Sequence, residues 1–145
     1  MMTATVMFLC TGNYYRSRFA EHFFNEQARQ RQLMWQATSR GLQPSLENLG
    51  FMSRHALDRL NSLGMTPRER LRLPMDLQSS DLMTAELTIA MNEVEHRPLM
   101  AARFPEWTER VRYWSIYDLD VADADSGLAA IESAVLALLD ELSAP

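Results

Sequence analysis

Eight residues near the start of the chain, Cys10-Thr11-Gly12-Asn13-Tyr14-Tyr15-Arg16-Ser17, bring a nucleophile, a backbone suited to turning and a fork-shaped cation into one stretch. The reactive form of cysteine is the thiolate, and N–H dipoles converging on the sulfur favour it over the thiol. Gly12 permits close backbone approach, and Asn13 is among the few other residues that tolerate a left-handed conformation. Arg16 offers a planar pair of donors matched to two oxygens of a tetrahedral oxyanion. Ser17, at the expected helix start, is placed to cap the helix or to hydrogen-bond the sulfur and help it leave in a second step. Together they describe an anion cradle with Cys10 as nucleophile and Arg16 as oxyanion fork. Thr11, Gly12, Asn13, Tyr14, Tyr15 and Ser17 would surround the bound group.

The flanking elements decide whether such a cradle can form. Thr3 to Leu9 is apolar and partly β-branched, which suits a buried parallel strand. From Ser17 to about Gln32 the spacing becomes helical, with Phe19, Ala20, Phe23, Phe24 and Ala28 on one side. Strand, tight loop and helix therefore aim loop N–H groups and a positive helix end at one point. A lone cysteine after a strand is ordinarily a small buried hydrophobe. The ordered conjunction of strand, Cys, Gly-Asn, Arg-Ser and helix outweighs that reading.

Further strands are predicted at 33–39, 87–91 and 110–116, and helices at 53–63, 75–85, 93–103 and on the apolar stripe from Leu128 to Leu142. Pro98 is expected to shorten or kink the helix that contains it. The alternation predicts an α/β fold with a doubly wound four-stranded parallel sheet, order 2-1-3-4, and helices on both faces. Ligands in such sheets bind beyond the carboxyl strand ends, where the order reverses, and the first loop lies there.

Expelling an alkoxide or phenolate requires a proton donor near the leaving oxygen. Asp118, Asp120, Asp123 and Asp125 crowd the stretch after the last strand, at the same sheet edge as Cys10. Asp123 and Asp125 fit the N-terminus of the final helix, where carboxylates complement the dipole. His22, His55 and His96 lack ligand spacing and read as surface or helix-packing residues, so no metal or other cofactor is expected.

The Cys-x5-Arg-Ser segment resembles the phosphate loop of the low-molecular-weight protein tyrosine phosphatases, a family shared with arsenate reductases. That resemblance implies a single phosphatase-like domain over 1–145, with Asp118 as general acid and then base and Asp120 as second choice. It also implies that Ser39, in Ser39-Arg40-Gly41, supports the loop. Several positions differ from the family pattern. Leu119-Asp120 replaces a Pro-Tyr that lines the phosphotyrosine cleft, and Tyr15 replaces a second loop cysteine. Arg18 stands where relatives carry proline and is expected to add charge beside the pocket. Pro67-Arg68-Glu69-Arg70 stands where a histidine would brace the loop asparagine. Aromatic walls are sought instead in Tyr14, Tyr15, Tyr117 or Phe51, with Leu46 another candidate contact.

The expected activity is hydrolysis of phosphomonoesters, aryl phosphates foremost, through a cysteinyl phosphate. The partners would be a phosphorylated protein or small phosphomonoester, with free phosphate or sulfate also fitting the loop. Two alternatives remain: arsenate reduction with an external small thiol, and a weakly catalytic phosphate-binding regulator. The net charge of −5 disfavours nucleic acid and anionic membranes as partners. No apolar run approaches membrane-spanning length, and a single cysteine suits a reducing compartment, so a cytoplasmic location is expected.

Overall fold

Residues 3–67, 71–118 and 123–144 are described by the computed structural model. Strand β1 (Ala4–Cys10) organises them, because its side chains alternate between two cores. Val6, Phe8 and Cys10 face one core with Phe19, Phe23, Phe24, Ile131 and Val135. Met7 and Leu9 face the other with Leu77, Leu82, Met100 and Val111. Burial on both faces explains why the run is apolar at consecutive positions.

Helix α1 (Arg16–Gln30) leads from β1 to β2 (Trp35–Gly41), which pairs parallel to β1 from Ala4↔Trp35 to Cys10↔Gly41. Helix α2 (Arg54–Ser62) and helix α3 (Ser79–Thr84) precede β3 (Leu87–Ala90) on the other side of β1. Helix α4 (Glu93–Arg103), a 3-10 turn at Pro105–Trp107, β4 (Arg112–Tyr113) and α5 (Ala124–Ser143) complete the chain. The four strands are parallel in the order β2-β1-β3-β4, so the predicted topology is found. The first core lies under α1, α2 and α5, and the second under α3 and α4.

The boundaries differ from expectation where neighbouring strands compete for the backbone. Helix α3 is shorter than 75–85 because the residues before it run beside β2: Gly41 N–H donates to Met75 O at 2.8 Å and Leu77 N–H to Gly41 O at 2.9 Å. Strand β4 has only two ladder residues, although Trp114 and Ile116 still donate to Ala90 O at 2.9 Å and Met91 O at 2.7 Å. Helix α4 runs through Pro98 for its full predicted length. No helix among the described residues is long and apolar enough to cross a membrane.

Candidate active site

The loop from β1 to α1 sends its carbonyls outward. Cys10 O and Thr11 O accept from Leu42 and Gln43 N–H at 2.9 and 2.8 Å, and Tyr14 O accepts from Ser53 N–H at 2.7 Å. The N–H groups from Gly12 to Tyr15 find no protein acceptor among the described residues. Helix α1 begins at Arg16 with Tyr15 as N-cap and no side-chain cap, so its first donors are likewise uncommitted by a side chain. Ser17 lies within the helix rather than capping it, and its Oγ is 2.9 Å from Cys10 Sγ. That contact serves the sulfur at the expense of the cap.

Asn13 adopts φ +52°, the left-handed conformation its residue type tolerates. Its amide donates to Ser17 Oγ and to Ser39 Oγ, both at 2.9 Å. The amide oxygen accepts from Met75 N–H at 2.9 Å and from Arg72 Nη1 at 3.0 Å. Arg72 also reaches Ser39 O at 2.8 Å through Nη2, and Ser39 donates to Glu21 Oε1. The loop asparagine is therefore braced by Arg72, two positions beyond the Pro67-Arg68-Glu69-Arg70 that stands in place of the family histidine; Arg68, Glu69 and Arg70 lie outside the described residues. Burial lowers the Arg72 guanidinium to about 10, against a raising influence from Glu21, and it stays charged at neutral pH.

Arg18 is a correction. It is 1% exposed and does not line the cleft: Nη1 donates to Phe51 O at 2.8 Å and Arg72 O at 3.0 Å, and Nε lies 3.6 Å from Glu21 Oε1. It ties the 42–53 loop to the 71–78 loop behind the site.

Arg16 is equally buried but turned to the front. Nη1 donates to Ile116 O at 3.0 Å, and Nη2 lies 2.5 Å from Glu95 Oε2 and 3.5 Å from Asp118 Oδ2. A cleft of about 290 Å³ is lined by Cys10, Gly12, Tyr14, Tyr15, Arg16, Asn48, Ser53 and Asp118. Asp118 is thus brought to the cysteine's cleft with its side chain 42% exposed. Asp120 lies outside the described residues, and Asp123 caps α5 by accepting from Ser126 N–H at 2.8 Å. Tyr14 and Tyr15 supply aromatic walls; Phe51, Leu46 and Tyr117 are exposed outside this lining. Burial, then the Asp118 charge, raises the Tyr15 hydroxyl to about 12, so it stays protonated and donates to Ala124 O at 3.2 Å.

Thr11 does not line the cleft. Its hydroxyl donates to Glu95 Oε2 at 2.7 Å and lies 3.1 Å from His96 Nε2. His96, read from sequence as a surface or packing residue, is fully buried within this group. Glu95, Glu21 and Arg72 were missed by sequence reasoning. The only signal for Glu95 is an Asn-x-x-Glu start at the carboxyl end of β3; Arg72 sits in a loop without periodicity. Among the described residues, no three His, Cys, Asp or Glu side chains gather as a metal site.

The family model for low molecular weight phosphotyrosine protein phosphatase matches residues 5–142. The chain belongs to that family. Among solved structures, this phosphatase-family chain is similar to the low molecular weight protein tyrosine phosphatase from T. tengcongensis, at 22% identity and TM-score 0.79 over 96% of this chain and 99% of the other. It is also similar to YwlE arginine phosphatase in a cysteine-to-serine mutant carrying a phosphorylated active-site serine, at 21% identity and TM-score 0.80 over 95% of both chains. Another YwlE mutant structure, from Bacillus subtilis, superposes with TM-score 0.81 at 21% identity, covering 98% of this chain and all of that one. No curated protein sequence gives a significant match. At such identities the structural likenesses establish the fold, while the family model places the phosphatase-family chain among phosphatases.

Proposed function

We propose that this family member is a cysteine-dependent phosphomonoesterase acting on aryl phosphates of the phosphotyrosine kind. The observation that carries the reading is Cys10 Sγ, 2.9 Å from Ser17 Oγ, sharing one cleft with Arg16 and Asp118. Cys10 thiolate attacks phosphorus in line, while uncommitted loop N–H groups and Arg16 hold the equatorial oxygens. The P–O bond to the leaving group breaks as Asp118 gives that oxygen its proton. A phosphocysteine remains. Asp118, now ionised, takes a proton from water, whose oxygen attacks phosphorus and returns the sulfur to thiolate, with Ser17 donating to it. Tyr14 and Tyr15 favour a flat aromatic leaving group. The substrate would be a phosphorylated protein or small phosphomonoester, met in the cytoplasm.

A second substrate reading has its own support: Asp118 offers a half-exposed carboxylate in the cleft, which suits a guanidinium leaving group. The similarity to an arginine phosphatase points the same way. Steady-state hydrolysis of p-nitrophenyl phosphate, phosphotyrosine and phosphoarginine by the parent and by Cys10→Ser tests both. Cysteine-dependent turnover, fastest on the aryl esters, is expected. Turnover that survives Cys10→Ser sinks the mechanism, and preference for phosphoarginine replaces the substrate class. Arsenate-dependent consumption of a small thiol would instead point to the reductase alternative.

A further inference from the structure

Glu95 has no part in the reaction above, yet it lies 2.5 Å from Arg16 Nη2, where Asp118 lies at 3.5 Å. It stands in the first turn of α4, three residues after the N-cap Asn92. A glutamate there ordinarily returns to the N-cap N–H and closes a capping box. Asn92 Oδ1 does accept from Glu95 N–H at 3.0 Å, but the Asn92 N–H is taken by His96 Nδ1 at 3.0 Å. The carboxylate is thereby released from the cap and turns toward the phosphate loop.

Because His96 Nδ1 accepts, the hydrogen of the neutral ring sits on Nε2. Nε2 is 2.6 Å from Glu95 Oε2. The same oxygen receives the Thr11 hydroxyl at 2.7 Å and Arg16 Nη2 at 2.5 Å. Three donors thus converge on one carboxylate oxygen, two of them from the loop that begins at Cys10. With Nη1 held by Ile116 O at 3.0 Å, both terminal nitrogens of Arg16 are anchored outside the loop, which sets the plane of the guanidinium. Burial raises the Glu95 carboxyl, and hydrogen bonds from His96, Arg16 and Thr11 overcome this and hold it at about 2. An acid this strong is ionised at neutral pH and is no candidate for the proton donor.

We propose that Glu95 is the resident counter-ion of Arg16, a positioning residue that fixes the guanidinium plane and moderates its hold on the oxyanion so that inorganic phosphate can leave. Its kinetic part rests on the phosphatase reading; its binding part does not. Glu95→Gln keeps an acceptor in place and removes the charge, whereas Glu95→Ala removes both.

The test combines calorimetric titration with inorganic phosphate, kcat and KM on p-nitrophenyl phosphate, and thermal midpoints as a check on folding. Glu95→Gln is expected to bind phosphate about three- to tenfold more tightly, the scale of one partly buried charge contact. Glu95→Ala, which leaves the guanidinium unanchored, is expected to lose about tenfold or more in kcat. Unchanged or weaker phosphate binding by Glu95→Gln overturns the proposal, as does a parental kcat in Glu95→Ala. A parent that binds phosphate without turnover sinks the phosphatase reading alone, and the titration still decides the role of Glu95. A parent that fails to bind phosphate overturns both.

Discussion

Asn13 holds φ at +52° because four hydrogen bonds, to Ser17, Ser39, Arg72 and Met75, leave it little alternative. The cost of a left-handed non-glycine residue is met by its neighbours, and Arg72 is the long-range charged contributor. Arg72→Gln should lower kcat roughly tenfold or more with little change in KM, since small displacements of a positioning loop cost up to about 100-fold. A steady-state comparison on p-nitrophenyl phosphate checks this, and parental kcat would remove Arg72 from the brace. Asp118→Asn should lose roughly 100- to 10,000-fold on an alkyl phosphate, the usual contribution of a general acid, and less on an activated aryl ester. Equal losses on both esters would count against Asp118 as the proton donor.

At the scale of elements, the site depends on how closely β2 approaches the loop. A Cβ on Gly41 would lie 2.9 Å from Thr11 O and 3.0 Å from both Asn13 Cβ and Pro44 Cγ. These are a backbone oxygen, a Cβ held by its own backbone and a ring carbon, none the end of a flexible chain. Gly41→Ala should therefore cost about 1–3 kcal/mol of stability and depress activity with it, read by denaturant midpoint and kcat together. A stable, fully active Gly41→Ala would show that the loop can yield here. Helix α1 illustrates the opposite economy, since it forgoes a side-chain cap while its first residues, Tyr15 and Arg16, line the cleft. Helix α5 needs no such exposure and takes Asp123 as a conventional cap.

For the molecule as a whole, the charged network couples stability to pH and to ligand. The Glu95 carboxyl sits at about 2 when folded, below the ordinary glutamate value. A depressed acid contributes stability above its unfolded pKa and loses it as pH falls through the folded one, so this contribution should fade from about pH 4.5 toward 2. With the side chain 36% exposed, solvent screening keeps the effect modest. Denaturant midpoints of the parent and Glu95→Gln should consequently converge as pH drops from 6 to 3; a constant gap would contradict the coupling. Inorganic phosphate should raise the melting temperature of the parent, with saturation at 100 times Kd adding about 2.7 kcal/mol. No shift at high phosphate would argue against the anion cradle itself.

The sequence alone determined the order of strands and helices, the two-sided burial of β1, and the placing of Cys10, Asn13 and Arg16 together at the turn from β1 into α1, because all of these follow from local periodicity and residue type. The left-handed turn at Asn13 and the cap at Asp123 were legible for the same reason. Tertiary structure decided which side chains converge on the loop from distant elements. Arg72 and Glu95 reach Asn13 and Arg16 across separations of 59 and 79 residues, and no local pattern marks such pairs. It also turned Arg18 and Thr11 away from the cleft and drew His96 into the interior, since a side chain's direction depends on what already occupies the space around it. Strand β4 shrank to two ladder residues for a related reason: its backbone continues to bond to Ala90 and Met91, but in a geometry fixed by β3 and α4 rather than by its own composition.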